Sequence, residues 1–242
     1  MSCSGLATGI GGLVVLLLRR PSQRLLDGLL GFTSGIMLAA LAFSLLVPAI
    51  DTGSLRQVLL GFALGGAFIA VADRFLPHVH ARFAERGRPS TVGMATQRRA
   101  VLILAAMTIH NLPEGMAVGT AFAAGGPELG LPLAVAIGVQ NIPEGFAVAA
   151  PLLAAGLSPA RSVLVALGSG AVEPVAAFAA YAMLDVAAGI LPVALAFAGA
   201  AMLYVTVDEL IPESQARGNE RIASLALLVG FALMMTLDNA LG

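Results

Sequence analysis

Long apolar runs leave this chain very few folds. Segments near 3–18, 28–49, 55–76, 100–123, 129–155, 160–184, 188–212 and 221–241 are built mainly from Ala, Val, Leu, Ile, Met, Phe and Gly. Most reach the ~20 residues that a helix needs to cross the hydrocarbon core of a bilayer. In that medium every backbone N–H and C=O has to be satisfied within the protein, which leaves helices or a closed barrel. Barrel strands alternate apolar and polar residues, and these runs do not. Only 11% of the residues are charged and 58% are hydrophobic, where a soluble domain carries roughly a quarter charged. The expected fold class is an all-α integral membrane protein of eight transmembrane helices, one transporter-sized domain over 1–242.

Charge and cysteine content remove other classes. A net charge of -1 gives no electrostatic footprint for nucleic acid. One cysteine, Cys3, supports neither a disulfide framework nor a four-cysteine zinc site. No basic stretch precedes the first apolar run, and Arg19 and Arg20 follow it. The run therefore reads as a first membrane helix rather than a cleaved signal peptide. The connections are short, except for a basic polar loop at 77–99.

Arginine placement predicts orientation. Arg19, Arg20 and Arg24 follow the first run, and Arg74, Arg82, Arg86, Arg88, Arg98 and Arg99 lie in or beside the long loop. Arg161 follows the fifth run, and Arg217 and Arg221 follow the seventh. With eight crossings these all fall on one face, and Arg56 falls on the other. The excess of positive charge marks the first face as cytoplasmic. The 77–99 loop is then cytoplasmic and both termini extracytoplasmic, in a multi-pass protein of the cell membrane.

One motif occurs twice inside these runs: His110-Asn111-Leu112-Pro113-Glu114-Gly115 and Gln140-Asn141-Ile142-Pro143-Glu144-Gly145. An ionisable residue at bilayer depth is expensive and marks a functional site. Residues at i, i+3 and i+4 share a helix face, so His110 and Asn111 are expected over Glu114, and Gln140 and Asn141 over Glu144. Pro113 and Pro143 lack a backbone N–H and crowd the carbonyls of Ile109 and Val139, so both helices are expected to be kinked by proline there. Gly115 and Gly145 permit close helix approach. A third acid, Glu173, lies in Ser169-Gly170-Ala171-Val172-Glu173-Pro174. Imidazole, carboxylates and amide oxygens together suit zinc or a neighbouring first-row divalent ion. Calcium or magnesium, which select oxygen ligands, would leave His110 without a role.

Other polar residues carry two readings each. Met37 is either core packing or a thioether ligand. His78 and His80 are an exposed loop pair or a metal relay. Asp208, Glu209 and Glu213 form a solvated helix end or an acidic exit for a cation. Asp51 and Asp238 are solvated caps or an entrance funnel.

The segments HNLPEGMAVG, QNIPEGFAVA and SGAVEP together resemble the signature of the ZIP (Zrt-/Irt-like) family of zinc and iron transporters, in its compact prokaryotic form. GFTSGIMLAALAFSLLVPAID, VDELIPES and VGFALMMTLDNALG are similar to further family segments, so the resemblance covers nearly the whole chain. It implies eight spans with both termini outside, movement of divalent metal into the cytoplasm, a homodimer, and a mobile helix bundle sliding against a static one. It implies one metal position at His110, Glu114, Gln140 and Glu144, with Met37 as an extra ligand. A second would use Asn111, Glu114, Asn141, Glu144 and Glu173. Asn141 is neutral where close prokaryotic relatives often have aspartate, and the loop is poor in histidine by comparison.

A divalent-metal transporter is the leading reading, with zinc first as substrate, cadmium, iron and manganese as the other candidates, and no bound cofactor. A proton-coupled carrier of another solute, using the three carboxylates as a relay, is the alternative. An intramembrane metalloenzyme finds no HExxH motif to support it. With Cys3 replaced, a cysteine introduced at Ser90 should react with impermeant reagent from the cytoplasmic side. Cysteines at Gly53 and Pro127 should react from the other. Reaction of all three from one side would refute the span count.

Overall fold

The computed structural model describes residues 3–17, 22–75, 92–154 and 156–241, and contains helices with no strand among them. Helix α1 is Cys3–Leu17. Helix α2 runs over Gln23–Thr52 and includes a π-helical stretch at Leu41–Leu46. Helix α3 is Leu55–Phe75. Helical bonding then continues over Val92–Ala154, but Gly125 and Gly126 leave helical φ/ψ and divide it into α4 (92–124) and α5 (127–154). Helix α6 joins Pro159–Gly170 to Val172–Val186 through a turn at Ala171. Helix α7 is Leu191–Gln215, with a π stretch at Thr206–Leu210, and α8 is Glu220–Leu241. Among the described residues six stretches are long and apolar enough to cross a membrane, counting Met107–Leu153 as one; the 15 described residues of α1 are not among them.

The boundaries have local causes. Helix α2 starts at Gln23, earlier than its apolar run, because the Ser22 side chain accepts a hydrogen bond from Leu25 N at 3.2 Å. Such a cap satisfies one of the free N–H groups of the first turn. The α4–α5 turn needs Gly126, whose φ of 59° a side chain would strain. Pro127 then begins α5, where a missing N–H costs nothing. The helix passes through Pro113 and Pro143 with helical φ/ψ. The two π stretches were not expected. Each ends two residues before a proline, Pro48 or Pro212. A wider turn at those points relieves the clash between the proline ring and the carbonyls before it.

The helices pack in two groups: α1, α4, α5 and α6 in one, α2, α3, α7 and α8 in the other. Glycine sets the tightest contacts. A Cβ at Gly119 would overlap the Ala177 carbonyl oxygen, and one at Gly145 that of Thr8. In the second group a Cβ at Gly35 would overlap the Leu227 carbonyl, and one at Gly65 that of Phe197. Small residues that let backbones touch are the usual means of holding helices together in lipid, where the hydrophobic effect does not. Among the described residues, glycine contacts to another helix's backbone all fall within a group and none falls between them. The core between the groups is instead side-chain packing, with Met37, Leu41, Leu45 and Met202 in one cluster with Val118, Leu133 and Ile137.

The second group is also braced by charge. Asp27, fully buried at the start of α2, accepts from Arg217 Nη1 and Asn219 Nδ2, each at 2.8 Å. Arg217 also pairs with Glu213. Burial works to lower the Arg217 pKa, but Asp27 and Glu213 outweigh it and raise it. The cluster ties α2 to the α7–α8 connection.

Gly35→Ala should lower the melting temperature of the detergent-purified protein, with an overpacking cost of about 1–3 kcal/mol. Gly66→Ala should not, because a Cβ there meets nothing within 4 Å. Equal melting temperatures for the two variants would remove backbone contact as the basis of the packing.

Candidate metal centre

Helices α4, α5 and α6 bring seven polar residues into an apolar interior. His110, Asn111, Glu114, Gln140, Asn141, Glu144 and Glu173 are all at most 2% exposed. His110 and Glu114 lie one turn apart on α4, with Nε2 3.9 Å from Oε1. Glu144 comes from α5, its Oε1 also 3.9 Å from His110 Nε2. One ligand atom from each of His110, Glu114 and Glu144 lies within 4.8 Å of the others. Two atoms bound to one tetrahedral zinc at ~2.0–2.1 Å stand about 3.3 Å apart. The trio therefore closes on an ion with roughly half an ångström of movement at the His–Glu pairs.

The amides act across helices. Gln140 and Asn141 were expected to stand over Glu144. Gln140 Nε2 donates across to Glu114 Oε1 at 2.9 Å. Asn141 Nδ2 donates to both oxygens of Glu173, at 2.8 and 2.9 Å. Sharing a face with Glu144 leaves each amide within reach of a carboxylate on the adjacent helix. The Gln140 bond turns its amide so that Oε1 stays available as an acceptor. Glu114 Oε2, both Glu144 oxygens, both His110 ring nitrogens and both Asn111 amide atoms also have no hydrogen-bond partner among the described residues. A buried polar atom left unpaired costs about 1–3 kcal/mol. So many in one pocket fit a divalent cation as their common partner.

Local sequence explains the positions. Pro174 cannot donate toward Gly170, so α6 breaks at Ala171 and restarts. Glu173 then lies in the first turn of the new segment, where the helix dipole favours an anion. A Cβ at Gly115 would overlap the Glu173 backbone, so the motif glycine is what lets α4 reach α6 beside that acid.

Comparison with known proteins decides the family. Residues 84–238 match the ZIP Zinc transporter family. The chain belongs to the ZIP family. It is 43% identical to Zinc transporter GufA of Myxococcus xanthus, over 99% of this chain and 96% of that protein. It is 42% identical to Zinc transporter ZIPB of Bordetella bronchiseptica, over 98% of this chain and 78% of that one. Zinc transporter ZupT of Corynebacterium efficiens is 36% identical over 96% and 91%.

The remaining predicted residues of this ZIP chain differ in burial and in partners. Met37 is fully buried, with its Sδ 3.6 Å from Thr206 Oγ1. Asp51 is exposed at the end of α2, and Asp238 accepts from Ser44 Oγ at 2.8 Å. Asp208 is exposed, whereas Glu209 reaches inward to within 3.7 Å of His110 Nδ1. His78 and His80 lie outside the described residues. Sequence reasoning passed over Asp27, although an acid early in the apolar α2 was a usable signal.

Asn141→Asp would replace the donor that holds Glu173 with another carboxylate. The metal-free variant should melt below the parent, and zinc should raise its melting temperature by more than it raises the parent's. An equal zinc-induced rise in both proteins would refute the pairing.

Proposed function

We propose that this ZIP protein carries zinc across the membrane, with His110, Glu114, Gln140 and Glu144 as the central ligands. The observation that carries the reading is the buried trio of His110, Glu114 and Glu144, whose ligand atoms lie within 4.8 Å of one another. Membership of a family described by zinc transport supports zinc first. Nitrogen and carboxylate ligands suit that ion, and the other first-row divalent ions share the preference. The ion is the cargo and leaves the protein unchanged, so the reading is of a transporter and not an enzyme.

The finer parts belong to the same reading. Asn111, Asn141 and Glu173, with Glu114 and Glu144 as bridges, form a second position beside the first, and Met37 is an additional ligand to the first. With three ionised carboxylates, one divalent ion leaves a net -1 and two leave +1. The neutral Asn141 therefore favours one well-held ion. Counting α1 and both halves of Val92–Ala154 gives the proposed eight crossings, and the proposed bends at Pro113 and Pro143 rest on the missing proline N–H groups. The arginine distribution puts the 77–99 loop in the cytoplasm and both termini outside. Asp51 and Asp238 then lie at the entrance, and Asp208 and Glu209 toward the exit, of an inward path in a cell-membrane homodimer. The absence of glycine interlocks between the two helix groups, among the described residues, supports sliding of one group on the other.

Zinc uptake by the purified protein in vesicles tests the reading. Glu114→Ala should abolish uptake while leaving the protein folded, because a cation in a dry site would lose one anionic ligand. His110→Ala should raise the zinc concentration needed for half-maximal uptake by about 10-fold or more, in keeping with the loss of ~1.4 kcal/mol of binding. Uptake at the parent rate by Glu114→Ala would end the proposal.

A further inference from the structure

A histidine that ligates through one ring nitrogen must carry its proton on the other. His110 turns Nε2 toward Glu114 and Glu144, 3.9 Å from an oxygen of each. Its Nδ1 points the other way, at Glu209 Oε2, 3.7 Å distant. His110 is 2% exposed, and neither ring nitrogen has a hydrogen-bond partner within bonding distance among the described residues. Water therefore has little access to set the tautomer, and the neighbouring groups must.

The structure assigns Glu209 as the positioning residue for His110: its carboxylate accepts the Nδ1–H and so holds the Nε2 lone pair on the metal. The proposal rests on His110 being a ligand of the centre described above. The separation of 3.7 Å exceeds a hydrogen bond by about half an ångström. Glu209 can supply that movement. It is 29% exposed, where the other groups around His110 are sealed in. It also lies in the π stretch Thr206–Leu210, a geometry that recurs at functional sites. Ligating histidines commonly donate their second N–H to a carboxylate, which fixes ring orientation and raises the basicity of the ligating nitrogen. Glu209 stands on α7 in the second helix group, while His110 and the two acids at its Nε2 stand on α4 and α5 in the first. The contact therefore couples ligand geometry to the mutual placement of the two groups.

Zinc affinity of the full-length purified protein, measured by chelator competition, tests the assignment. Glu209→Ala should weaken binding by about 10- to 100-fold. Glu209→Gln keeps an oxygen acceptor and should recover most of that loss. In a His110→Ala background, Glu209→Ala should add nothing, since the residue acts through the imidazole. With His78 and His80 replaced, nitrogen-15 NMR should find the remaining histidine protonated at Nδ1, and Glu209→Ala should shift it toward Nε2–H. Parent-like affinity in Glu209→Ala, equal loss in the Ala and Gln variants, or an additive loss on top of His110→Ala would each overturn the assignment. An equal loss would mark Glu209 as a direct ligand. If His110→Ala weakens binding and Glu209→Ala does not, the positioning role alone fails. If His110→Ala binds zinc as the parent does, the centre fails with it.

Discussion

Glu114, Glu144 and Glu173 lie on three helices of a chain made for lipid, and each is at most 1% exposed. A charged side chain at mid-bilayer costs about 3 kcal/mol by insertion measurements, and more by other estimates. Three of them together are tolerable only if each finds a partner. Gln140 donates to Glu114, and Asn141 donates to Glu173. Glu144 has His110 at 3.9 Å and no hydrogen bond among the described residues. The strongest unmet demand for positive charge in the pocket therefore lies on Glu144 and the outer oxygen of Glu114, beside an imidazole nitrogen. A divalent cation answers that demand, and the rest of the centre follows from where it would sit.

Holding the acids together requires helices at unusually short separation. The glycines that follow Glu114 and Glu144 supply it, one against α6 and the other against α1. The same residue type thus serves the site and the fold: without Gly115, Glu173 could not approach the α4 cluster. The second helix group uses the same device among its own members and adds the Asp27–Arg217 brace. Among the described residues the glycine interlocks stay within each group, and from the second group Glu209 reaches to within 3.7 Å of His110. A ligand set carried by one body and adjusted by another is suited to a protein that must bind an ion and then release it.

Much of this was written in the sequence because it depends on neighbours along the chain. Apolar run length bounds a membrane helix, the i, i+4 spacing puts His110 over Glu114, and arginine excess predicts an orientation. These are properties of one helix at a time. The distances bear out the α4 pair. For Gln140 and Asn141 the spacing gives the face but not the partners, since their N–H groups turn to acids on neighbouring helices.

What only the tertiary structure decided is how the helices are rotated and stacked against one another. Which acid each amide meets, that Glu209 faces His110 while Asp208 next to it faces out, and that Asp27 finds Arg217 across 190 residues are all matters of packing between helices. The π stretches on α2 and α7 belong with them, since one extra residue in a helical turn rotates every face beyond it. Periodicity specifies a helix face but not what that face meets. The sequence by itself determined the membrane helices, the two motif faces and the chemistry of a cation site. The glycines are visible in the sequence, but the tertiary structure decided what they meet: Gly115 and Gly119 set α4 against α6, and Gly145 sets α5 against α1.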